Sequence, residues 1–148
     1  MGLLNRIEEL EKELLELKEL VKEFPQDEDK YWYVGMRGNV FSSEWEGLPS
    51  EEHMLEVGNI FKTEDEAYFA VEKLKVDAEL RNLSDSWDLE STQYTFSFDW
   101  ENGEFNLEYP DYNQYPNSYY FYSADDVQQA IETVGRERIK KYLFGVEE

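Results

Sequence analysis

The side chains able to do chemistry are few in kind. His53 is the single histidine and there is no cysteine, so Ser-His-Asp and Cys-His nucleophilic machinery, thiolate metal sites and most transition-metal sites lack their parts. Carboxylates, by contrast, abound: 35 Asp and Glu stand against 14 Lys and Arg, for a formal net charge of −21. In such numbers no single acid pair is diagnostic of glycosidase or aspartyl chemistry. No glycine spacing matches a phosphate cradle and no run matches an EF-hand. Asp111, Asp125 and Asp126 have the right atoms for Ca²⁺, but Asp125 and Asp126 are better read as first-turn acids favoured by a helix dipole. The expectation is a non-enzyme with no cofactor and no metal.

What the acids can do is imitate. Residues 82–135 hold eleven acids, thirteen aromatics and no Lys or Arg. Carboxylates two apart on a strand project about 6.7 Å apart on one face, close to the spacing of neighbouring phosphates in a nucleic-acid strand. Asp99 with Glu101 and Glu44 with Glu46 are such pairs, and with Glu104 and Glu108, four apart, they could together present a phosphate-like array; a neutral surface would intersperse cations among them. Tyr112, Tyr115 and Tyr119 cluster in and just after the loop beyond, where no core periodicity accounts for them. Rigid loop tyrosines make good interface anchors. The candidate partner-binding residues are therefore Asp99, Glu101, Glu104, Glu108, Tyr112, Tyr115 and Tyr119; the bland reading of the acids is simple solvation.

The charge distribution bounds the partner. Residues 1–24 carry seven acids and four bases, residues 25–135 twenty-five and six, and residues 136–148 three and four. Nucleic acid and anionic membrane both need a positive footprint, which the body lacks. A basic protein partner fits. With no signal-peptide pattern and no apolar run near the roughly 20 residues of a membrane span, a cytoplasmic protein is expected.

These acids must be positioned by folded elements. Leu3, Ile7, Leu10, Leu14, Leu17, Val21 and Phe24 recur at spacings of 4 and 3, the seam of a coiled coil ended by Pro25. Ile7, Leu14 and Val21 at a with leucine at d predict a parallel pair, in which Arg6 faces Glu11 and Glu13 faces Lys18 of the second helix. Oligomerisation is thus expected through Ile7, Leu10, Leu14, Leu17 and Val21, as a homodimer or higher homo-oligomer. Leu4, Leu15 and Leu20 widen the apolar face, as packing on the chain's own body would also require.

Beyond a linker at 25–30, Tyr31–Arg37 and Asn39–Trp45 read as a hairpin about Gly38-Asn39, with Trp32 facing Trp45, Val34 facing Ser43 and Met36 facing Phe41. Residues 46–52 read as a loop and Asn59–Phe61 as a short strand. Thr63-Glu64-Asp65-Glu66 is a capping box opening a helix to Leu83, with Ala67, Ala70, Val71, Leu74 and Ala78 inward. Tyr94, Phe96, Phe98 and Trp100 alternate with polar residues along a strand, and Asn102-Gly103 predicts a two-residue turn. That register sets Trp100 against Phe105, Phe98 against Leu107, Phe96 against Tyr109, and Glu101 against Glu104. These aromatics are the expected core. Ser118–Tyr122 reads as a strand, Ser123 as a helix cap, Gly135 as a break, and Arg136–Phe144 as a last helical segment.

Phe61-Lys62-Thr63-Glu64-Asp65-Glu66-Ala67 resembles Phe121-Tyr122-Ser123-Ala124-Asp125-Asp126-Val127, each after a hairpin and a Pro-containing loop. The predicted fold is α+β: a coiled-coil helix at 1–24, the linker, and an acidic domain at 31–148. That domain would be a duplicated ββ-βα body (pseudo-repeats about 31–83 and 92–148) sharing one antiparallel sheet and core.

Two segments carry a family likeness. Val57-Gly58-Asn59-Ile60-Phe61-Lys62-Thr63-Glu64-Asp65-Glu66-Ala67 and Ala130 through Gly135-Arg136-Glu137-Arg138-Ile139-Lys140-Lys141-Tyr142-Leu143-Phe144-Gly145-Val146-Glu147 resemble stretches of small uncharacterised acidic proteins encoded by phages and prophages of Gram-positive bacteria. There a G-N-x-F-K-T-x-E-E-A box opens the first helix and an I-G-x-x-R-I-K-K-Y run ends the chain, often behind a leucine-rich N-terminal helix. The resemblance implies a phage origin, hence a bacterial host cell, and by analogy an antagonist of host defence. The expected function is a non-enzymatic inhibitor that binds a basic, nucleic-acid-binding host protein, such as a CRISPR effector or other defence nuclease, by nucleic-acid mimicry. The alternatives are a coiled-coil adaptor whose acids only solubilise it and, less favoured for want of basic residues, a binder of small signalling molecules.

Overall fold

A computed structural model describes residues 2–20, 23–88, 91–109 and 118–147. Their architecture is α+β, with helices and two antiparallel two-stranded sheets. The chain divides into two compact units, residues 1–67 and 68–148, and the division falls inside one helix. Among the described residues no sheet is shared, contrary to the single sheet expected of a duplicated body. No described helix is long and apolar enough to cross a membrane.

The first unit opens with helix α1, Gly2–Leu20. Its described side chains, residues 2–18, are all exposed. Residues 26–29, expected as a linker, instead form a turn bonded onto the hairpin that follows: Glu28 N–H donates to Trp45 O and Trp45 N–H to Asp29 O. Strands β1 (Lys30–Val34) and β2 (Val40–Glu44) pair with Tyr31 opposite Ser43, Trp32 opposite Ser42 and Tyr33 opposite Phe41. The expected Trp32–Trp45, Val34–Ser43 and Met36–Phe41 register is therefore wrong. Instead of a two-residue turn at Gly38-Asn39, a β-turn runs from Gly35 to Gly38, closed by Gly38 N–H to Gly35 O, with Gly38 at φ 79°. Met36 is thrown out into solvent. Phe41 lies over Gly35 so closely that any side chain there would collide with its ring.

Strand β1 is the centre of this unit. Along its other edge Trp32 exchanges both backbone hydrogen bonds with Phe61, and the Asn59 side chain does the same for Val34, accepting from its N–H and donating to its carbonyl. The residues read as a strand thus supply a one-residue bridge extended by a side chain.

Helix α2, Pro49–Glu56, lies where a loop was expected. Pro49 stands at the first helical position, where its missing N–H costs nothing, and acids follow in the first turn. Glu51 then reaches back to accept from the N–H groups of Leu48 and Glu46 and from the Tyr31 hydroxyl, at 2.7–3.0 Å. Tyr31, Trp45 and Glu51 are all buried, with Tyr31 packed edge-on against Trp45. Burial alone would raise the Glu51 carboxyl, but these donors outweigh it and hold it below the usual carboxylate range. The Tyr31 hydroxyl is pushed up to about 12 by burial and by its bond to Glu51.

Helix α3, Glu64–Leu83, starts on the expected cap: Thr63 Oγ1 accepts from Glu66 N–H, while the Glu66 carboxylate takes the N–H of Lys62 rather than that of Thr63. Its buried line is Ala67, Val71, Val76 and Leu80, and Leu74, expected inward, is exposed. In the second unit Val76 and Leu80 pack with Phe96, Phe121, Ile131 and Ile139.

Strands β3 (Thr95–Asp99) and β4 (Glu104–Glu108) form the second hairpin. An extended segment follows, in which Phe121 exchanges backbone hydrogen bonds with Tyr94 and Tyr120 O accepts from Asp85 N–H. Helix α4, Ala124–Val134, is capped as expected by Ser123 Oγ accepting from Asp126 N–H, and it buries Val127, Ala130, Ile131 and Val134. Gly135, at φ 110°, breaks it. The chain re-enters as a single turn, α5 (Arg136–Arg138), followed by a π-helical turn, Ile139–Leu143. Phe144 then stacks on Phe98 at 5.5 Å.

Glu51→Gln is expected to cost about 1–3 kcal/mol at pH 7, seen as a lower urea midpoint. Because the folded carboxyl titrates below its unfolded value, its contribution is complete above the carboxylate range and fades as pH falls through the folded pKa. The gap between wild type and E51Q should therefore narrow from pH 7 to pH 3; a constant gap would show that the charge contributes nothing.

Candidate acidic interface

The β3–β4 hairpin presents one aromatic and one acidic face. Phe96 opposite Leu107 and Phe98 opposite Phe105 line the first; Asp99 opposite Glu104, Ser97 opposite Asn106 and Thr95 opposite Glu108 line the second. The faces are those that alternation dictates, but every pair is displaced by two residues from the expected register. No two-residue turn forms at Asn102-Gly103, and Glu101 does not oppose Glu104. The Asp99 carboxylate explains the shift. It accepts from the N–H groups of Glu101 and Asn102 and from the Asn102 side-chain amide, at 2.9–3.3 Å. The chain thereby turns early, through the four residues Trp100-Glu101-Asn102-Gly103, with Gly103 at φ 70° and donating to Asp99 O.

This turn changes which residues are available. Trp100, expected in the core, is 64% exposed at the tip, edge-on to Phe98. Tyr109, also expected inside, is exposed. Glu101 and Glu104 are exposed, and their carboxylates bond to no described residue. Asp99 is committed to the turn, and Glu108 accepts from the Ser97 hydroxyl at 2.8 Å. Tyr112 and Tyr115 lie outside the described residues. Tyr119 is not an exposed anchor: it is buried, stacked on Phe96, and its hydroxyl donates to Asp77 at 2.5 Å. Burial and the Asp77 carboxylate push that hydroxyl well above its ordinary pKa.

Glu44 and Glu46 belong to the first unit. There Glu44 opposes Lys30 across the sheet, so its charge has an opposite-sign neighbour. His53 sits exposed on α2. Of the residues expected to oligomerise, Ile7, Leu10, Leu14 and Leu17 are exposed along α1, and Val21 lies outside the described residues.

The hairpin's aromatic face is less free of cations than the sequence of the stretch implies. Arg136 and Lys140 lie over the Phe105 ring at 5.9 and 6.0 Å, a favourable placement of cation on ring. No ion pair among the described residues involves Asp99, Glu101, Glu104 or Glu108. A shallow cleft of about 550 Å³ opens beside the π turn, lined by Phe69, Arg138, Lys140, Lys141 and Tyr142 among others. Its Arg138 is engaged by Glu79 at 2.7 Å and by Val134 O, and its Lys140 lies 3.6 Å from Glu137. No group of three acidic or histidine side chains among the described residues is arranged to hold a metal ion.

The residue missed by sequence reasoning is Trp100. Its signal was the Asp99-Trp100-Glu101-Asn102-Gly103 string, in which an aspartate able to accept from nearby N–H groups precedes the glycine. No family model, curated protein or solved structure matches the chain.

Asp99→Ala should destabilise the protein by about 1–2 kcal/mol by releasing three donors at the tip, with Asp99→Asn costing less; equal melting of D99A and wild type would refute the role given to this carboxylate. Tyr119→Phe should lower stability by about 0.5–1.5 kcal/mol while leaving partner binding unchanged. A binding loss without a stability loss would return Tyr119 to the interface.

Proposed function

We propose that this protein is a phage-encoded, non-enzymatic inhibitor that binds a basic, nucleic-acid-binding host protein, a defence nuclease such as a CRISPR effector, by presenting its carboxylates where phosphates would lie. The observation that carries this reading is the tip of the second hairpin. There Glu101 and Glu104 are exposed and bond to no described residue, Asp99 stands opposite Glu104, and Trp100 projects between acids. A like-charge cross-strand pair costs stability, and an exposed tryptophan beside it has the makings of an anchor. The net charge of −21 adds long-range attraction to any basic partner.

A second reading is favoured by α1, whose apolar seam is exposed along its described length. In that reading the protein is a coiled-coil adaptor and the acids only keep it soluble. We also propose that residues 31–83 and 92–148 are diverged copies of one ββ-βα plan. In each, a hairpin is followed by a phenylalanine that bridges back to it, Phe61 to Trp32 and Phe121 to Tyr94, and then by a hydroxyl-capped helix.

The test is capture by the immobilised protein from a bacterial host lysate. The mimic predicts that bound proteins are nucleic-acid-binding, are released by added DNA or RNA and by raising salt from roughly 50 to 500 mM, and are lost with Glu101→Lys/Glu104→Lys or Trp100→Ala. Retention that ignores salt and the double charge reversal would end it. Deleting residues 1–24 weakens a mimic through lost avidity but abolishes an adaptor.

A further inference from the structure

Helix α1 has no cover: every described side chain on it is exposed, Leu3, Ile7, Leu10, Leu14 and Leu17 included. A single helix of 19 residues is marginal in water, and one that wets a leucine seam is less favoured still. We propose that the seam is covered by the α1 of a second copy of this chain, in a parallel, in-register two-stranded coiled coil that places both copies of the body at the same end.

The occupant follows from the seam. Positions 3, 7, 10, 14 and 17 repeat every 3.5 residues on average, so the covering surface must itself be a helix with that repeat. A second copy supplies one by construction. Ile7 at a between Leu3 and Leu10 at d fits a two-stranded rather than a higher-order core.

The orientation follows from the charges that flank the seam. In the parallel, in-register arrangement the g position of one helix faces the next e position of the other. Arg6 then meets Glu11 of the second copy and Glu13 meets Lys18, each twice by symmetry, so every such contact is attractive. In the antiparallel arrangement e faces e and g faces g. Full overlap of the seam, with Leu10 against Leu14 and Ile7 against Leu17, brings Glu11 against Glu11 and Glu13 against Glu13 at the middle of the coil. Those contacts are repulsive, and sliding the helices to relieve them unpairs part of a seam that is already short. The Arg6–Glu9 ion pair within the helix, 3.2 Å long and more than half exposed at both ends, does not oppose the exchange, because such a surface pair contributes little.

The consequence is a twin-headed molecule. Because the body follows α1 in the chain, the parallel pair holds two bodies at one end, whereas an antiparallel pair would separate them by the helix length, about 28 Å at 1.5 Å per residue. The inference concerns α1 alone and stands whether or not the acidic face binds a basic partner.

Leu3→Cys in the full chain tests it cleanly, since the protein has no other cysteine and a d position faces its own copy within disulfide reach only in the parallel, in-register pair. The expected results are a dimer mass by sedimentation at tens of micromolar, and rapid covalent dimerisation of L3C on oxidation with diamide. Leu10→Glu/Leu17→Glu should raise the dissociation constant at least tenfold. Should those glutamates melt the helix itself, Glu11→Lys provides the milder arm: it sets Arg6 against a second cation, weakens the dimer several-fold, and should be rescued by adding Arg6→Glu. A monomer at about 100 μM, a trimer or tetramer mass, or a dimer in which L3C fails to cross-link would each overturn the proposal.

Discussion

With 35 carboxylates and 14 basic side chains, this chain cannot neutralise its acids by pairing. It holds many of them with neutral donors instead. Glu51 is held by two backbone N–H groups and a tyrosine hydroxyl, Asp99 by two N–H groups and an amide, Asp85 by Tyr122 N–H, and Glu66 by Lys62 N–H. Each bond satisfies a donor that the fold would otherwise leave exposed at a helix start, a turn or a bridge. The acids are therefore part of the scaffold: they close the turn before α2, start α3, tie residue 85 to the segment before α4, and set the second hairpin's register. The ion pairs, such as Arg81 with Asp77 on α3 and Arg6 with Glu9 on α1, run mostly along single helices at the surface, where they contribute little.

The same constraint separates what the sequence made legible from what it did not. Helix caps were legible because their signal is local: a hydroxyl three residues before a donor placed the starts of α3 and α4 at Thr63 and Ser123. The aromatic and polar faces of the β3–β4 hairpin were also legible, because a shift of two residues preserves the alternation. Register was not. Asn102-Gly103 and Gly38-Asn39 are strong turn signals in isolation, but in both hairpins the glycine ends a wider turn. At the first, Phe41 packs on Gly35; at the second, the Asp99 carboxylate gathers the N–H groups of the residues that follow. Such choices rest on one side chain's reach, which composition and period do not encode.

Helix α2 was hidden for a related reason. Gly47 and Pro49 are the usual marks of a loop, and only the position of Pro49 ahead of Ser50-Glu51-Glu52 distinguishes a helix start. What makes it one is Glu51, buried against Tyr31 from 20 residues earlier. The candidate site was legible to a similar degree. The carboxylates lie on the polar face of the hairpin that alternation dictates, but the tyrosine assigned as anchor went to the core and the tryptophan assigned to the core went to the tip. Tyr119 was misread because its partner, Asp77, lies 42 residues away on α3. Trp100 was misread because its fate turned on the register.

The division of labour among the acids is what supports the role proposed for the hairpin tip. A surface on which every carboxylate is held by donors would be explained by folding alone. Here Asp99 is held, and in being held it curls the chain so that Glu101 and Glu104 emerge beside it with Trp100 between Asp99 and Glu101. The fold thus uses one carboxylate to leave two others unanswered, in a chain whose remaining acids are repelling them already. Solvation needs no such arrangement, since acids dispersed on helix surfaces dissolve a protein equally well at lower electrostatic cost. Concentrating unpaired charge at one turn raises the local field, and the exposed tryptophan within it supplies apolar area that a partner can bury. The proposed partner is one that suits both properties, basic and able to desolvate an indole, which is a narrower description than net charge provides.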